Sequence, residues 1–305
     1  MKNVVKNIYE LIGQTPVYQF PTSADMADIF VKLEWFNPGG SIKDRISLSM
    51  IQDAISQGKL KPGDTIVEPT SGNTGVGVAM IAAQMGFKSV IIMPESVSVE
   101  RIKILKAYGA EVILTPKEES MEGSIAIADK LEQEKGYVQL KQFDNPANPK
   151  AHYDTTALEI MAQVPSITHF VIGSGTGGTL SGAGRRLKEE KGVKLIAVEP
   201  ETSAVMQGNP SMGHKIQGIG PGFVPSIVDV SLFDELRTIK DSEAIEMARI
   251  LAKDYGLLGG FSTGCNIAAS IKLAKELGPG HTIVTVSASN GERYLSTILF
   301  EEKDA

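Results

Sequence analysis

Short apolar runs alternate along the chain with longer segments in which apolar residues recur at helical spacing. The apolar runs predict strands at 64–69, 88–95, 110–116, 168–175 and 193–200. The segments between them predict helices at 99–109, 120–136, 155–164 and 179–192. Because these strands are apolar almost throughout and alternate with helices, they favour parallel sheets covered by helices on both faces. The predicted fold class is therefore α/β with open sheets.

The strand–helix series occurs twice, on either side of a polar stretch at 141–156. We interpret that stretch as a domain boundary and predict two α/β domains, residues 1–145 and 146–305, with a cleft between them. Ligands of open α/β sheets bind beyond the carboxyl ends of the strands. The loops at those ends are therefore the candidates for chemistry.

Composition narrows the classes of function. The net charge of −6 and the lack of a basic cluster argue against a nucleic-acid partner. No apolar run approaches the ~18 residues of a membrane helix, and the N-terminus has no secretory pattern. A single cysteine, Cys265, suits a reducing cytoplasm, and the four histidines are too scattered to predict a metal site.

A glycine-rich loop, GSGTGGT at 173–179, joins a predicted strand to a predicted helix. Its backbone can approach a ligand closely, and the helix N-terminus favours an anion, so a phosphate or carboxylate cradle is predicted. A tight turn without a ligand is the plain alternative. Gly173, Gly175 and Gly178 also fit the G-x-G-x-x-G pattern, with Glu199 placed to hold a ribose. This loop alone therefore leaves a dinucleotide site open.

A second loop, EPTSGNTG at 68–75, crowds hydroxyls and an amide into the turn before a helix. One such residue suffices for a helix N-cap, whereas Thr70, Ser71, Asn73 and Thr74 are all present. The excess favours a loop that grips a small anion, such as an amino-acid carboxylate. A dinucleotide-dependent dehydrogenase has no obvious need for this second anion loop.

A third loop, GGFSTGC at 259–265, also opens a predicted helix. Ser262 is placed to point into the cleft, although a plain capped helix explains the pattern equally well. Cys265 lies near the helix N-terminus, which can lower the pKa of a thiol. A lone cysteine among small residues is more often a packing residue, and we favour that interpretation.

A lysine follows two glycines in the stretch FNPGGSIKDR at 36–45. The helical pattern after it places Lys43 near a helix N-terminus, where the helix dipole disfavours a cation. If the amine is also desolvated, its pKa falls and it becomes a usable nucleophile and base. The alternative is a solvated surface lysine, with Asp44 and Arg45 pairing with each other or capping the helix.

Together these loops resemble the cysteine synthase (O-acetylserine sulfhydrylase) family, which belongs with the cystathionine β-synthases among pyridoxal-phosphate (PLP) enzymes. The resemblance covers nearly the whole chain, including ELIGQTPV, EPTSGNTG, GSGTGGTLSG and HKIQGIGPGFVP. It implies a fold type II PLP enzyme, similar to the tryptophan synthase β chain, with PLP in the cleft between the domains. It also implies that a smaller part, about 40–145, is mobile, and that the glycine loop holds a single phosphate.

The resemblance implies roles for individual residues. Lys43 is expected to hold PLP covalently and to act as the catalytic base. The phosphate loop is expected to consist of Gly175, Thr176, Gly177, Gly178 and Thr179. Asn73 is expected at the ring hydroxyl and Ser262 at the pyridine nitrogen. The expected clamp on the substrate carboxylate consists of Thr70, Ser71, Gly72, Thr74 and Gln142, and Gly218 is expected beside the PLP-bound substrate.

The implied reaction is β-replacement on O-acetyl-L-serine with sulfide, which gives L-cysteine and acetate. A homodimer and binding of the serine acetyltransferase C-terminal tail are expected by analogy. The segments SASNGERY at 287–294 and GFSTGC depart from the usual family pattern and leave the nucleophile open. An O-acetylserine-dependent cystathionine β-synthase and a cysteine desulfhydrase therefore remain alternatives. A dinucleotide-binding oxidoreductase is a remote one, and the intact Lys43 argues against a binding protein without catalysis.

Overall fold

The computed structural model describes residues 4–301. Its strands are β1 (Val17–Phe20), β2 (Asp28–Leu33), β3 (Thr65–Pro69), β4 (Lys88–Pro94), β5 (Glu111–Thr115), β6 (Val138–Gln139), β7 (His169–Gly173), β8 (Lys194–Pro200), β9 (Glu235–Ile239) and β10 (Thr282–Ser287). Its α-helices are α1 (Lys43–Ser56), α2 (Asn73–Met85), α3 (Val99–Ala107), α4 (Ser120–Lys135), α5 (Ala147–Ala151), α6 (Ala157–Gln163), α7 (Arg185–Lys191), α8 (Asp241–Tyr255) and α9 (Phe261–Leu277).

The smaller sheet has the strand order β5-β4-β3-β6, and all of its pairs are parallel. Helices α1 and α2 cover one face, where Ile46 and Ile81 pack against Ile66 and Ile91. Helix α4 covers the other face, where Ala128 packs against Val67. Burial on both faces explains why these strands are apolar almost throughout.

The larger sheet has the order β1-β2-β10-β7-β8-β9, in which only the β1–β2 pair is antiparallel. Residues of α8 and α9, such as Leu251 and Ile267, pack on one face. Residues of α6 and α7, such as Ile160 and Leu187, pack on the other. The predicted fold class, α/β with two helix-covered sheets, is confirmed.

The sheets do not follow the predicted division at residue 145. Strands β1 and β2 pair with the later part of the chain, because the apolar residues Ile29 and Val31 of β2 pack in one core with Val171 of β7. The smaller sheet is thus built from residues inserted between β2 and β7. The mobility of residues 40–145 stays a prediction.

The polar stretch at 141–156 is not simply a boundary, because it is helical from residue 147 onwards. Helix α5 is followed by a π-helical turn, His152–Thr156, which runs directly into α6. Ala147 and Ala151 bury the apolar side of α5 in the core of the smaller unit, against α1. Between residues 4 and 301, none of the helices has the length and apolar character that a membrane crossing requires.

A buried cluster of charges fixes the start of α1. Arg45 donates to both carboxylate oxygens of Glu34, at 2.7 and 2.8 Å, and to both oxygens of Glu159, at 2.7 and 2.8 Å. Lys32 adds an ion pair to Glu159 at 2.8 Å. Burial alone would raise the pKa of Glu34, but the charge and hydrogen bonds of Arg45 outweigh it and lower that pKa to about 2.

Replacing Arg45 by Met is expected to lower the free energy of unfolding by about 3–5 kcal/mol, because the buried carboxylate of Glu34 and the partly buried one of Glu159 lose this partner. Denaturant or thermal unfolding of the purified protein measures the change. Arg185→Met is the control, since the Arg185–Asp229 pair is largely exposed and contributes at most about 1 kcal/mol. Equal losses in the two variants would contradict a special role for Arg45.

Candidate active site

A cavity of about 370 Å³ lies between the two sheets, a volume that suits a small cofactor or substrate. Loops at the carboxyl ends of both sets of strands form its wall. The predicted site residues in that wall are Lys43, Thr70, Ser71, Gly72, Asn73, Thr74, Gln142, Gly175, Thr176, Gly177, Thr179, Gly218 and Ser262. Gly178 is the one predicted residue that does not line the cavity.

Lys43 is the first residue of α1, as predicted from the sequence. Its backbone N–H donates to Ser41 Oγ at 3.1 Å, and its side chain faces the cavity. Burial lowers the pKa of the Lys43 amine to about 8. A sizeable fraction of the amine is therefore neutral near pH 8, which a nucleophile or base requires.

The two residues after Lys43 do not pair with each other. Asp44 accepts a hydrogen bond from the backbone N–H of Gly39 at 2.6 Å, whereas Arg45 binds Glu34. Burial raises the pKa of Asp44 to about 7. The acidic and basic side chains beside Lys43 thus hold the loop and the helix rather than the amine.

The glycine-rich loop packs too closely against its neighbours to admit side chains at three of its glycines. A Cβ atom at Gly175 would lie 2.5 Å from the carbonyl oxygen of Gly218, and one at Gly178 would lie 1.8 Å from Asn148 Oδ1. Gly177 has a φ of +80°, which disfavours other residues. The loop therefore packs closely against its surroundings and keeps its backbone open towards the cavity, as an anion cradle requires.

Two buried side chains orient the hydroxyls of this loop. Asn148 donates from Nδ2 to Thr176 Oγ1 at 3.0 Å and to the carbonyl oxygen of Gln142 at 2.7 Å. The imidazole of His152 lies 2.9 Å from Thr156 Oγ1 and 3.3 Å from Thr179 Oγ1. Burial lowers the pKa of His152 to about 3, so the ring is neutral near pH 7.

The loop before α2 and Gln142 are joined directly. Thr74 Oγ1 donates to Gln142 Oε1 at 2.7 Å, and Gln142 Nε2 donates to the carbonyl oxygen of Pro69 at 3.3 Å. Gly72, the residue before α2, has no side chain that could cap the helix. The start of α2 therefore offers backbone donors and a positive dipole end to an anion in the cavity.

Glu68 organises the turn that carries Gln142. Its buried carboxylate accepts backbone hydrogen bonds from Leu140, Lys141 and Gln142 at 3.2, 3.1 and 3.3 Å. Lys141 has a φ of +55°, a strained conformation for a residue with a side chain. Burial raises the pKa of Glu68 to about 7, and the three N–H groups oppose that rise. The carboxylate thus stabilises the bend that points Gln142 at Thr74.

Ser262 and Gly218 are neighbours in the cavity wall. A Cβ atom at Gly218 would lie 3.8 Å from Ser262 Oγ. Helix α9 begins at Phe261, so Ser262 and Cys265 are both inside its first turns. Cys265 is buried in the core and burial raises its thiol pKa, which supports a packing role.

Glu199 does not reach the glycine-rich loop as a ribose-binding residue would. It is buried, and Oε1 accepts a hydrogen bond from the backbone N–H of Met206 at 2.9 Å. Glu199 is not among the described residues that line the cavity. Its position removes the second half of the dinucleotide pattern.

Sequence reasoning missed Glu68, Asn148, His152 and Arg293, which lie behind the cavity wall or hold its residues. A signal existed for Glu68, because a charged residue in an otherwise apolar strand needs buried partners. Asn148 and His152 fell in the stretch that was interpreted as a boundary. Arg293 carried no local signal, because its partners precede it by more than 200 residues.

Comparison with known proteins places the chain in a family. The sequence model of the family described as pyridoxal-phosphate dependent enzyme matches residues 8–289. The chain is 50% identical over 305 residues to the cysteine synthase of Staphylococcus aureus (strain N315), covering 98% of each protein. It is 46% identical over 311 residues to the probable cysteine synthase of Bacillus subtilis (strain 168), covering 98% of this chain and 99% of that protein.

Solved structures give the same result. The structure of O-ureido-L-serine synthase superposes with a TM-score of 0.95 at 42% identity, covering 99% of this chain and 96% of that one. The cysteine synthase of Entamoeba histolytica gives 0.94 at 43% identity, covering 100% and 93%. The O-acetylserine dependent cystathionine β-synthase of Helicobacter pylori gives 0.91 at 38% identity, covering 98% and 99%.

The cavity fits the cofactor of this family. An amine with a lowered pKa, at Lys43, suits covalent attachment to an aldehyde. The loop at 175–179, whose glycines have no space for side chains, presents its backbone at a helix N-terminus and suits a phosphate. Both features line one cavity of appropriate size.

Replacing His152 by Gln is expected to reduce the loss in free energy of unfolding that occurs as the pH falls below about 6.5. Because the folded-state pKa of His152 is below its unfolded value, its contribution to stability is complete above about pH 6.5 and declines as the pH falls towards 3. At pH 5 the wild-type protein should have lost roughly 2 kcal/mol through this residue. Unfolding midpoints of both proteins at pH 7.5 and pH 5 measure the difference. Parallel losses would contradict the assignment.

Replacing Gly178 by Ala is expected to weaken PLP binding at least about tenfold, because the new methyl group must displace Asn148 or the loop. Dialysis of the holoprotein against limiting PLP measures the dissociation constant. Gly213→Ala is the control, since a Cβ there would meet nothing within 4 Å. Unchanged binding in the Gly178 variant would show that the loop is not the cradle.

The geometry and the comparisons agree. The cavity contains an amine and an anion cradle that suit PLP, and the family match spans almost the whole described chain. Relatives and solved structures match the chain over nearly their entire lengths. The chain belongs to the pyridoxal-phosphate dependent enzyme family and, within it, to the cysteine synthase group.

Proposed function

We propose that the protein catalyses β-replacement on O-acetyl-L-serine with sulfide, giving L-cysteine and acetate. The observation that carries this proposal is the meeting of three features in one cavity. These are the Lys43 amine, the glycine cradle of the larger unit and the hydroxyl-rich loop of the smaller one. A cofactor phosphate and an amino-acid carboxylate need two separate anion sites, and the cavity wall offers both.

Bound PLP supplies an electron sink for a carbanion at the substrate α-carbon. Lys43 would hold the cofactor, and its amine, when free, would remove the α-proton as general base. The pKa of about 8 leaves the freed amine partly neutral at working pH. The same amine, once protonated, can return the proton to the α-carbon of the product.

The carboxylate of the substrate binds at the start of α2. Thr70, Ser71, Gly72 and Thr74 supply hydroxyl and backbone donors there, with the helix dipole behind them. Gln142 adds its side-chain amide, whose oxygen is already held by Thr74. This clamp orients the α-proton towards Lys43 and places the β-substituent in the open part of the cavity.

The remaining residues hold the cofactor. The backbone and hydroxyls of Gly175, Thr176, Gly177, Gly178 and Thr179 bind the phosphate. Asn73 and Ser262 line the cavity and would meet the ring hydroxyl and the pyridine nitrogen of the cofactor. A neutral serine leaves that nitrogen largely unprotonated, which weakens the electron sink and favours prompt loss of the β-substituent over transamination. The backbone of Gly218 lies beside the reacting substrate.

Organisation in the cell is part of the proposal. We propose a cytoplasmic homodimer whose cleft accepts the C-terminal tail of serine acetyltransferase. Residues of about 40–145 would move as a unit to close the cleft over the substrate and exclude water. The single buried cysteine is compatible with a reducing compartment.

The nucleophile is tested by competition. Purified holoprotein and O-acetyl-L-serine are mixed with sulfide, with homocysteine, or with neither, a further sample receives L-cysteine alone, and products are separated by chromatography. The proposal expects cysteine to form with the highest kcat/KM. Faster formation of cystathionine would reassign the protein to the activity named for the Helicobacter pylori relative. Faster release of sulfide from cysteine would indicate a desulfhydrase.

Replacing Lys43 by Ala is expected to lower kcat by at least about 10³-fold, because the covalent anchor and the base are lost together. Steady-state cysteine formation measures the loss. Lys103→Ala, on the exposed side of α3, is the control and should retain wild-type rates. Residual activity within tenfold of wild type in the Lys43 variant would refute its assignment as the base.

A further inference from the structure

Arg293 contacts two loops of the cavity wall, the one that carries Asn73 and the one before Lys43. It lies in the 3₁₀ turn Gly291–Tyr294 near the end of the described chain and is 7% exposed. Its Nη1 donates to Asn73 Oδ1 at 2.7 Å. Its Nη2 donates to the carbonyl oxygen of Gly39, four residues before Lys43.

The contact fixes which way the Asn73 amide faces. The oxygen and nitrogen of an amide have similar shapes, so their assignment depends on hydrogen-bond partners. A guanidinium can only donate, so the atom of Asn73 that contacts Arg293 must be the oxygen. The amide nitrogen then faces acceptors on its other side, which are the Tyr294 hydroxyl and any group bound in the cavity that Asn73 lines.

The glycine pair before Lys43 makes room for this arrangement. A Cβ atom at Gly40 would lie 2.6 Å from Arg293 Nη2, and the φ of +78° there also favours glycine. A Cβ atom at Gly39 would lie 2.5 Å from Asp44 Oδ1. Asp44 in turn lies close enough to Arg293 for their charges to interact. Arg293 therefore packs directly against the loop that carries the amine.

We propose that Arg293 is a positioning residue, which holds the Asn73 amide so that its N–H donates to the ring oxygen of PLP and ties that contact to the loop before Lys43. The inference rests on the proposed function in one respect, the placement of the PLP ring beside Asn73. It adds a role for the C-terminal segment that the resemblance to the family did not supply.

Two readouts on the holoprotein test the role without measuring turnover. Arg293→Met is expected to raise the dissociation constant of PLP about tenfold, because the freed amide no longer keeps one orientation. The same variant should shift bound PLP from visible towards near-ultraviolet absorption, because the ring oxygen loses its donor. Arg293→Lys should restore part of both, since an ammonium can donate to Asn73 or to Gly39 but lacks the fork that reaches both.

A double-mutant cycle separates positioning from simple loss of structure. If Arg293 acts through Asn73, then Arg293→Met should change neither readout further in an Asn73→Ala background. Asn73→Asp provides a second route, because a carboxylate can still accept from Arg293 but has no N–H to donate. That variant should keep wild-type thermal stability and show the shifted spectrum. It tests the proposal even if the Arg293 variants fail to fold.

Arg249→Met is the matched control. Arg249 also anchors the C-terminal segment, through bonds to the carbonyl oxygens of Leu299 and Ile298 at 2.8 and 2.7 Å. It should leave the spectrum and the PLP affinity unchanged. Additive effects in the cycle, a wild-type spectrum in Asn73→Asp, or equal shifts in the Arg249 and Arg293 variants would each overturn the inference. If the wild-type holoprotein forms no cysteine from O-acetyl-L-serine and sulfide, the proposed function is refuted instead.

Discussion

The structure depends on the two ion pairs that Arg45 forms. Its guanidinium binds two carboxylates. Glu34 directly follows β2 of the larger sheet, and Glu159 lies on α6, which covers that sheet. Arg45 itself belongs to the first turn of α1, which packs in the smaller unit. The ion cluster therefore fixes that turn, and with it Lys43, to the larger unit. An isolated buried charge would be costly, and the fork geometry with two partners makes this one favourable.

A second layer of buried polar groups connects the loops. Asn148 joins the turn of Gln142 to the glycine-rich loop, and Glu68 joins the same turn to the strand before Thr70. Burial removes water from these groups, and hydrogen bonds of specific direction replace it at Asn148 Nδ2 and at the Glu68 carboxylate. Loops that carry glycine for close approach are intrinsically flexible, so this layer supplies the rigidity that their sequence lacks.

The sequence predicted features whose cause is local. The position of Lys43 at a helix start follows from the pattern after it, and the glycine loop follows from a strand, a turn and a helix in succession. The pairing of β2 with β10 could not be predicted in this way, because strands with more than 200 residues between them carry no mark of their partners. Arg293 was missed for the same reason, and the helical residues 147–154 were missed because their polar composition resembles a loop.

The central position of β10 has a consequence for the order in which the protein acquires its structure. Residues 282–287 lie between β2 and β7, so the middle of the larger sheet is synthesised after the other strands named above. The smaller unit, in contrast, has all its strands once residue 139 has left the ribosome. Domains tend to fold as units during synthesis, whereas distant pairings are slow. The smaller unit can therefore form before β10 has been synthesised. Until then, the edge of β2 that later pairs with β10 has no partner strand.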